Sequence, residues 1–544
     1  MKRNFLFIFL AVIAANLTAA EPAQGIAYYK AGFPQVAKPL LLKEYAADTL
    51  TRSETCFYLG NIYFGENKAD SAAIYFKKGL IGKQVNVLNT IGLAMLKMKS
   101  NAKEADTDIQ TVLKLQTSKR NPDYFIAAAN AYLVNGNIDE ATNYMEKARN
   151  IKQKYALLAV LAGDIELAKK DVGKACGNYE LAISYDDKCK EAYIKYARAY
   201  KNVNTQLAIE MLNNLKQKEP KFLLVEKELG DIYYADPLND FVNAALHYDN
   251  YLKSGNTSIS DFTKYASSVF YSKDYSKSLE ISLLGLQKAP RNPVFNRLAM
   301  YNSVELGKYD DAIKYADLFF NKSDKPEISY YDYTYYGQAL RSTKKFDLAI
   351  EQFRNAFKLD STQIGFLKDI SDMYAEKEDY KNSISTYKVY MKLLPEQKKT
   401  SELVIKLGRL YLTYGNSQNL TAAEKKSALM SADTVFAKVA VMEPNGYRAN
   451  YYRAQTNFFM DPDLTEGLAK PHYENTLAFC EAKADVRFNK VIIECANYLA
   501  SYYFQKKDYQ QSKLYWNKIL AIDPKSDKAI KSIEWIDKAL KGKK

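Results

Sequence analysis

Residues 370–395 read ISDMYAEKEDYKNSISTYKVYMKLLP. A large apolar residue, Ile370, precedes a small one, Ser371, and the aromatic Tyr374 follows three places on. Twelve residues after Ser371 stands a second small residue, Ser383, with Tyr387 four further, then Tyr390 and Pro395. Spacings of three and four keep these side chains on one helical face, so the stretch predicts two amphipathic helices folded as a hairpin. Small residues belong where the two helices cross closely, and aromatics fill the gaps beside the crossing. Proline ends the second helix because it has no N–H for the helical ladder.

The same spelling recurs: Leu59-Gly60 and Tyr63 with Ala72, Phe76 and Gly79; Leu229-Gly230 and Tyr233 with Ala244, Tyr248 and Tyr251; Tyr336-Gly337 and Leu340 with Ala349, Phe353 and Ala356; Leu499-Ala500 and Tyr503 with Ser512, Trp516, Ile519 and Pro524. The small position can be followed from Gly60 through Gly92, Ala129, Gly163, Ala197, Gly230, Ala266, Met300, Gly337, Ser371, Gly408 and Ala454 to Ala500. The intervals are 32, 37, 34, 34, 33, 36, 34, 37, 34, 37, 46 and 46 residues. Met300 departs from the rule. A shortened earlier unit fits Gly25, Tyr28, Ala37 and Leu41.

This pattern resembles the tetratricopeptide repeat family, whose period is 34 residues. The resemblance implies an all-α fold: an α-solenoid, a right-handed superhelix of about fourteen helix-turn-helix repeats. Most units lack the family's first-helix tryptophan. The expected organisation is a signal peptide over 1–20, a degenerate capping repeat over 21–52, the solenoid over 53–526, and a closing helix with a basic tail over 527–544. Trp535 is expected to cover the last unit. Two long intervals mark insertions, Gly415–Lys426 and 461–490, and both are expected as surface loops.

Lys2 and Arg3, the apolar run Phe5–Ala15 and the small residues Thr18-Ala19-Ala20 have the form of a cleavable export signal. No later stretch reaches the roughly 20 apolar residues of a membrane helix, so no transmembrane segment is expected in the mature chain. Export, to the periplasm of a cell with two membranes, is the expected localisation. Of the five cysteines, Cys480 and Cys495 fall at the end of one helix and the start of the next, and are the candidate disulfide. The formal charge of +14 is interspersed rather than blocked, which favours acidic partners over nucleic acid.

Catalytic and metal-binding motifs are missing from the sequence, so an enzyme is not expected, and no cofactor or metal is. His247 and His472, the two histidines, read as partly exposed helix residues. In the family, first helices line a concave groove. The matching exposed positions give Arg297, Tyr301, Tyr331, Thr334, Gln338, Arg341, Lys368, Arg409 and Tyr451, with Arg448 and Gln455 nearby. Arginine grips carboxylates through paired hydrogen bonds, and tyrosine offers flat amphipathic area. The family's carboxylate clamp is not supplied: Asn61 and Asn130 stand at matching positions, but Phe57, Thr90 and Ile126 occupy others, and Asp372 accompanies Lys368. The expected function is an envelope scaffold or adaptor that binds protein partners, an acidic peptide or helix among them. A glycan- or peptidoglycan-binding module through Tyr301, Tyr331 and Tyr451 is the alternative. Catalysis by a carboxylate pair in the groove stands third, with no motif behind it.

Overall fold

The computed structural model describes residues 24–47, 52–80, 86–115, 118–253, 255 and 258–541. The expected signal peptide lies outside them. Among the described residues the regular structure is helical, without strands. None of these helices is long and apolar enough to cross a membrane. The chain forms two compact units, Met1–Leu306 with Asp317–Lys325, and Gly307–Ala316 with Pro326–Lys544.

The first unit begins with the hairpin α1 (Gln24–Lys30) and α2 (Pro34–Ala47). Its pairs continue as α3 (Arg52–Gly65) with α4 (Ala69–Lys78), α5 (Val87–Lys97) with α6 (Ala102–Leu113), α7 (Pro122–Val134) with α8 (Ile138–Ile151), and α9 (Ala156–Ala168) with α10 (Val172–Tyr185). Then come α11 (Lys190–Tyr200) with α12 (Thr205–Lys218), α13 (Leu224–Tyr234) with α14 (Phe241–Leu252), α15 (Ile259–Tyr271) with α16 (Tyr275–Lys288), and α17 (Pro293–Glu305). Helix α18 (Tyr309–Lys322) is divided between the units. The second unit holds α19 (Tyr330–Ser342), α20 (Phe346–Leu359), α21 (Gly365–Glu376), α22 (Tyr380–Leu393), α23 (Ser401–Gly415) and α24 (Ala422–Met442). It closes with α25 (Arg448–Met460), α26 (Lys470–Lys483), α27 (Asn489–Gln505), α28 (Tyr509–Ile522) and α29 (Asp527–Lys541).

The small positions of the repeat fall on first helices, and at Gly60, Gly163, Gly230, Gly337 and Gly408 an aromatic of the second helix seats against them. A Cβ built on Gly60 would lie 2.3 Å from the Phe76 ring, and one on Gly92 2.4 Å from the same ring. Phe76, fully buried, is therefore gripped by two successive units. Gly163 meets Tyr179 in the same way, and Gly408 meets Phe436. Met300, the exception, is fully buried, and beside it Phe295 seats against Gly285 of α16.

The turns inside the hairpins also repeat. A residue at positive φ (Lys170, Lys273, Glu378 and Lys507, or Gly136 at φ 81) precedes an aspartate or asparagine that caps the second helix. Asp171, Asp274, Asp379 and Asp508 each accept from the backbone N–H three places on. The cap satisfies one of the donors a helix start leaves open.

Both insertions are loop only in part. Half of 415–426 is absorbed as helix: α23 runs to Gly415, and α24 begins at Ala422 and extends for 21 residues. The capping box of Thr421 and Glu424 starts α24 early. In the second insertion the buried Asp461 carboxylate accepts from the backbone N–H groups of Thr465, Glu466 and Gly467, at 2.9, 3.0 and 2.7 Å. These bonds hold its carboxyl below the usual range although burial opposes that. The closing helix α29 is present; Trp535 packs on Phe504 and Tyr509 while remaining 49% exposed.

Gly163→Ala should destabilise the chain by about 1–2 kcal/mol, because the Tyr179 ring is fixed by its hydroxyl bond to Asp164 and overpacking outweighs the gain in helix propensity. Gly177→Ala, on the open side of α10, should stabilise it by about 0.5–1 kcal/mol. Thermal unfolding followed by circular dichroism, with hydrogen exchange over 156–185, reads both.

Candidate functional site

The groove residues named from sequence do not form a free basic row. Arg297 and Tyr301 lie in the first unit, the others in the second. Tyr301 is buried, 8% exposed, and packs on Phe270; the Arg297 guanidinium lies over the Phe319 ring, 4.9 Å from its centre. In the second unit Arg341 pairs with Glu376, Lys368 with Asp372 at 3.5 Å, and Arg448 with Glu402 and Glu443. Asp372 also takes Lys406. The Thr334 hydroxyl donates to the Tyr330 carbonyl. The Tyr451 hydroxyl donates to Glu494 at 2.6 Å, and Gln455 binds the same carboxylate. Tyr331, stacked on Tyr330, Gln338 and Arg409 remain exposed. Only one of the three tyrosines of the glycan alternative thus presents its face.

Cys480 and Cys495 meet in one core cluster as free thiols, and the expected disulfide is not formed. Burial pushes the Cys480 thiol up to about 11. His247 is buried, not partly exposed. Its Nδ1 lies 2.6 Å from Glu226 Oε2, its ring stacks on Tyr233 at 5.3 Å, and Lys216 pairs with the other Glu226 oxygen. These groups serve the core. Burial would raise the Glu226 carboxyl, but His247 and Lys216 outweigh it and hold it low. Among the described residues no cluster of histidine, cysteine and carboxylate could hold a metal ion.

A cavity in the first unit was not read from sequence. It has a volume of about 940 Å³ and is lined by the first helices α3, α5, α7, α9 and α11, with α1 closing it. The closure joins residues far apart in the chain. Arg198 Nη1 donates to the Gly32 carbonyl at 2.9 Å, across 166 residues, while Nε and Nη2 bind Glu228 at 3.1 and 2.6 Å. The Arg198 guanidinium covers the Phe33 ring, and Tyr28 and Phe33 both pack on Phe222. The hairpin expected as a terminal cap therefore docks on α11–α13, and the helices between enclose a lumen.

One wall of the lumen is apolar: Leu88, Ile91, Met95, Ile126, Leu157 and Val160. Asn61 and Asn130, singled out from sequence, stand among them. The lumen also holds charge. Lys195 lies between Glu191 and Asp164, and Asp164 also accepts the Tyr179 hydroxyl at 2.8 Å. Burial raises the Glu191 carboxyl above its ordinary value, with Lys195 only partly opposing. Tyr29, facing it, is pushed up to about 12 by burial and by Glu191. A carboxylate held against burial in a concavity marks a candidate binding site. The asparagines could have flagged it from sequence; the closing hairpin could not.

A raised carboxyl contributes stability at low pH that is lost as pH rises through its folded value. Glu191→Gln should therefore be no less stable than the parent at pH 7, and any advantage should vanish below about pH 4. Urea unfolding across that range checks it. Arg198→Ala should release α1 and α2 from α11–α13, raising amide exchange over 24–47 by about tenfold or more while leaving 138–185 unchanged.

No family model matches the sequence, and no curated protein does. Among solved structures, the C-terminal part of a TPR repeat-containing protein from Cytophaga hutchinsonii is 27% identical, spanning 50% of this chain and 99% of its own, with a TM-score of 0.40. A tetratricopeptide repeat protein from Parabacteroides merdae is 16% identical over 46% of this chain and 98% of its own, at 0.30. The APC/C hetero-tetramer Cut9–Hcn1 is 15% identical over 89% and 96%, at 0.29. The chain is an α-helical repeat solenoid whose hairpins, with small residues on first helices seated at several pairs against an aromatic of the second and intervals centred on 34 residues, resemble tetratricopeptide repeats.

Proposed function

We propose that the protein is an exported, non-catalytic scaffold that holds a polypeptide segment of a cell-envelope partner in the lumen of its first unit. The observation that carries this reading is the lumen itself: an apolar wall, two asparagines and charged side chains, enclosed by helices that the hairpin α1–α2 ties together. An apolar cavity with a few fixed polar groups suits a ligand that buries side chains and is oriented by hydrogen bonds. Export is supported by the basic and apolar start of the chain.

The test is a pull-down from detergent-solubilised envelope after gentle crosslinking of intact cells, using mature Glu21–Lys544. Asn130→Arg with Leu157→Glu should reduce recovery of a stoichiometric partner at least tenfold. Arg341, Lys368 and Arg409 changed to glutamate should leave it bound. A partner that survives the lumen variant removes the lumen from the reading. A chain that comes through crosslinking alone sinks the scaffold.

A further inference from the structure

The long helix α24 creates a second concavity, in the second unit. It has a volume of about 700 Å³ and lies between α22, α23 and α24 of the second unit. Its floor is Leu407 and Tyr411 of α23 with Val435 of α24, and Met430 of α24 stands at its rim. Lys388 of α22 and Lys426 and Lys438 of α24 stand around it, with Ser427, Ser431 and Thr434 between them. No carboxylate lines the groove, and none of the three lysines makes an ion pair among the described residues. This differs from the row of first helices, where Arg341, Lys368, Lys406 and Arg448 are all paired.

The insertion provides the arrangement. Helix α24 has 21 residues where α22 has 14. The early start at Thr421 places Lys426 on it. Lys426, Met430, Thr434 and Lys438 are spaced by four, so they follow one stripe. At 1.5 Å per residue the two lysines are about 18 Å apart along the axis. That separation exceeds what one phosphate or carboxylate can bridge, and it asks for a ligand with acidic groups distributed along its length. The apolar floor asks for a projecting apolar side chain. Val435 is 9% exposed, and Leu407 and Tyr411 are half-buried, so the floor is recessed beneath the lysines and a flat lipid surface would not reach it. Met430, 54% exposed, supplies an adaptable contact at the rim.

We infer that this groove docks an acidic polypeptide segment of another protein, with a large apolar side chain seated on Leu407 and Tyr411 and carboxylates spread along Lys388, Lys426 and Lys438. The groove is independent of the lumen, so either site can fail without the other. It gives the protein two docking surfaces of opposite character: one concave and closed by the N-terminal hairpin, the other open and basic.

The experiment selects a random-sequence displayed peptide library on the mature full chain, then measures the selected peptides by fluorescence anisotropy. Three variants run in parallel: Lys388→Glu with Lys426→Glu and Lys438→Glu; Met430→Asp; and the lumen variant Asn130→Arg with Leu157→Glu. The substituted groove positions are exposed, and circular dichroism confirms unchanged helix content. The expected result is peptides rich in Asp and Glu interspersed with Leu, Ile or Phe. Their affinity should fall at least about tenfold in the triple lysine variant and in Met430→Asp, weaken with added salt, and persist in the lumen variant. Neutral or basic peptides, or acidic ones that bind the lysine variant equally, overturn the inference. Acidic peptides lost only in the lumen variant assign the chemistry to the lumen and overturn it as well. Retention on phosphatidylglycerol vesicles that depends on the lysines, with no peptide selected, replaces the polypeptide with a lipid surface.

Discussion

Phe76, held between Gly60 and Gly92, is the contact on which the array depends. One ring touches the first helix of its own pair and the first helix of the next. A methyl group on either glycine would occupy space the ring already fills. The contacts of Tyr179 with Gly163 and of Phe436 with Gly408 set how closely the two helices of a hairpin approach. Because dense cores tolerate little change in volume, each unit is fixed to its neighbour by shape before any charge is considered.

Charge then follows the repeat. Lys195 with Asp164, Arg198 with Glu228, and Lys264 with Asp231 join successive first helices in the first unit. Arg341 with Glu376, and Lys406 with Asp372, do so in the second. These pairs engage most of the cationic side chains that sequence spacing places on the first helices, while Arg409 stays exposed. Lys388, Lys426 and Lys438 are placed differently: they stand on second helices, away from the acidic positions of the first.

Lumen and groove arise from departures from regular repetition. The lumen exists because the shortened first hairpin does not simply end the array but docks through Arg198 and Phe222 on helices well along the chain. The groove exists because an insertion became helix, giving α24 a longer face than its neighbours. Binding features thus appear where the repeat is broken, while the regular hairpins supply rigidity.

The repeat, the helix pairing and the small-against-aromatic contacts were legible in the sequence, because they depend on residues within one or two units of each other and spacing reports that directly. The turn caps at Asp171, Asp274, Asp379 and Asp508 are local in the same way. The burial of Tyr301, the pairing of Arg341 with Glu376, and the tie between Tyr451 and Glu494 were not legible, because each depends on which residue the neighbouring unit presents. The lumen was further out of reach: Gly32 and Arg198 are separated by 166 residues, and their meeting follows from the curvature summed over all the hairpins between them. Local pattern determined the kind of protein this is. The accumulated geometry of many packed helices, which no single spacing encodes, decided where its cavities lie.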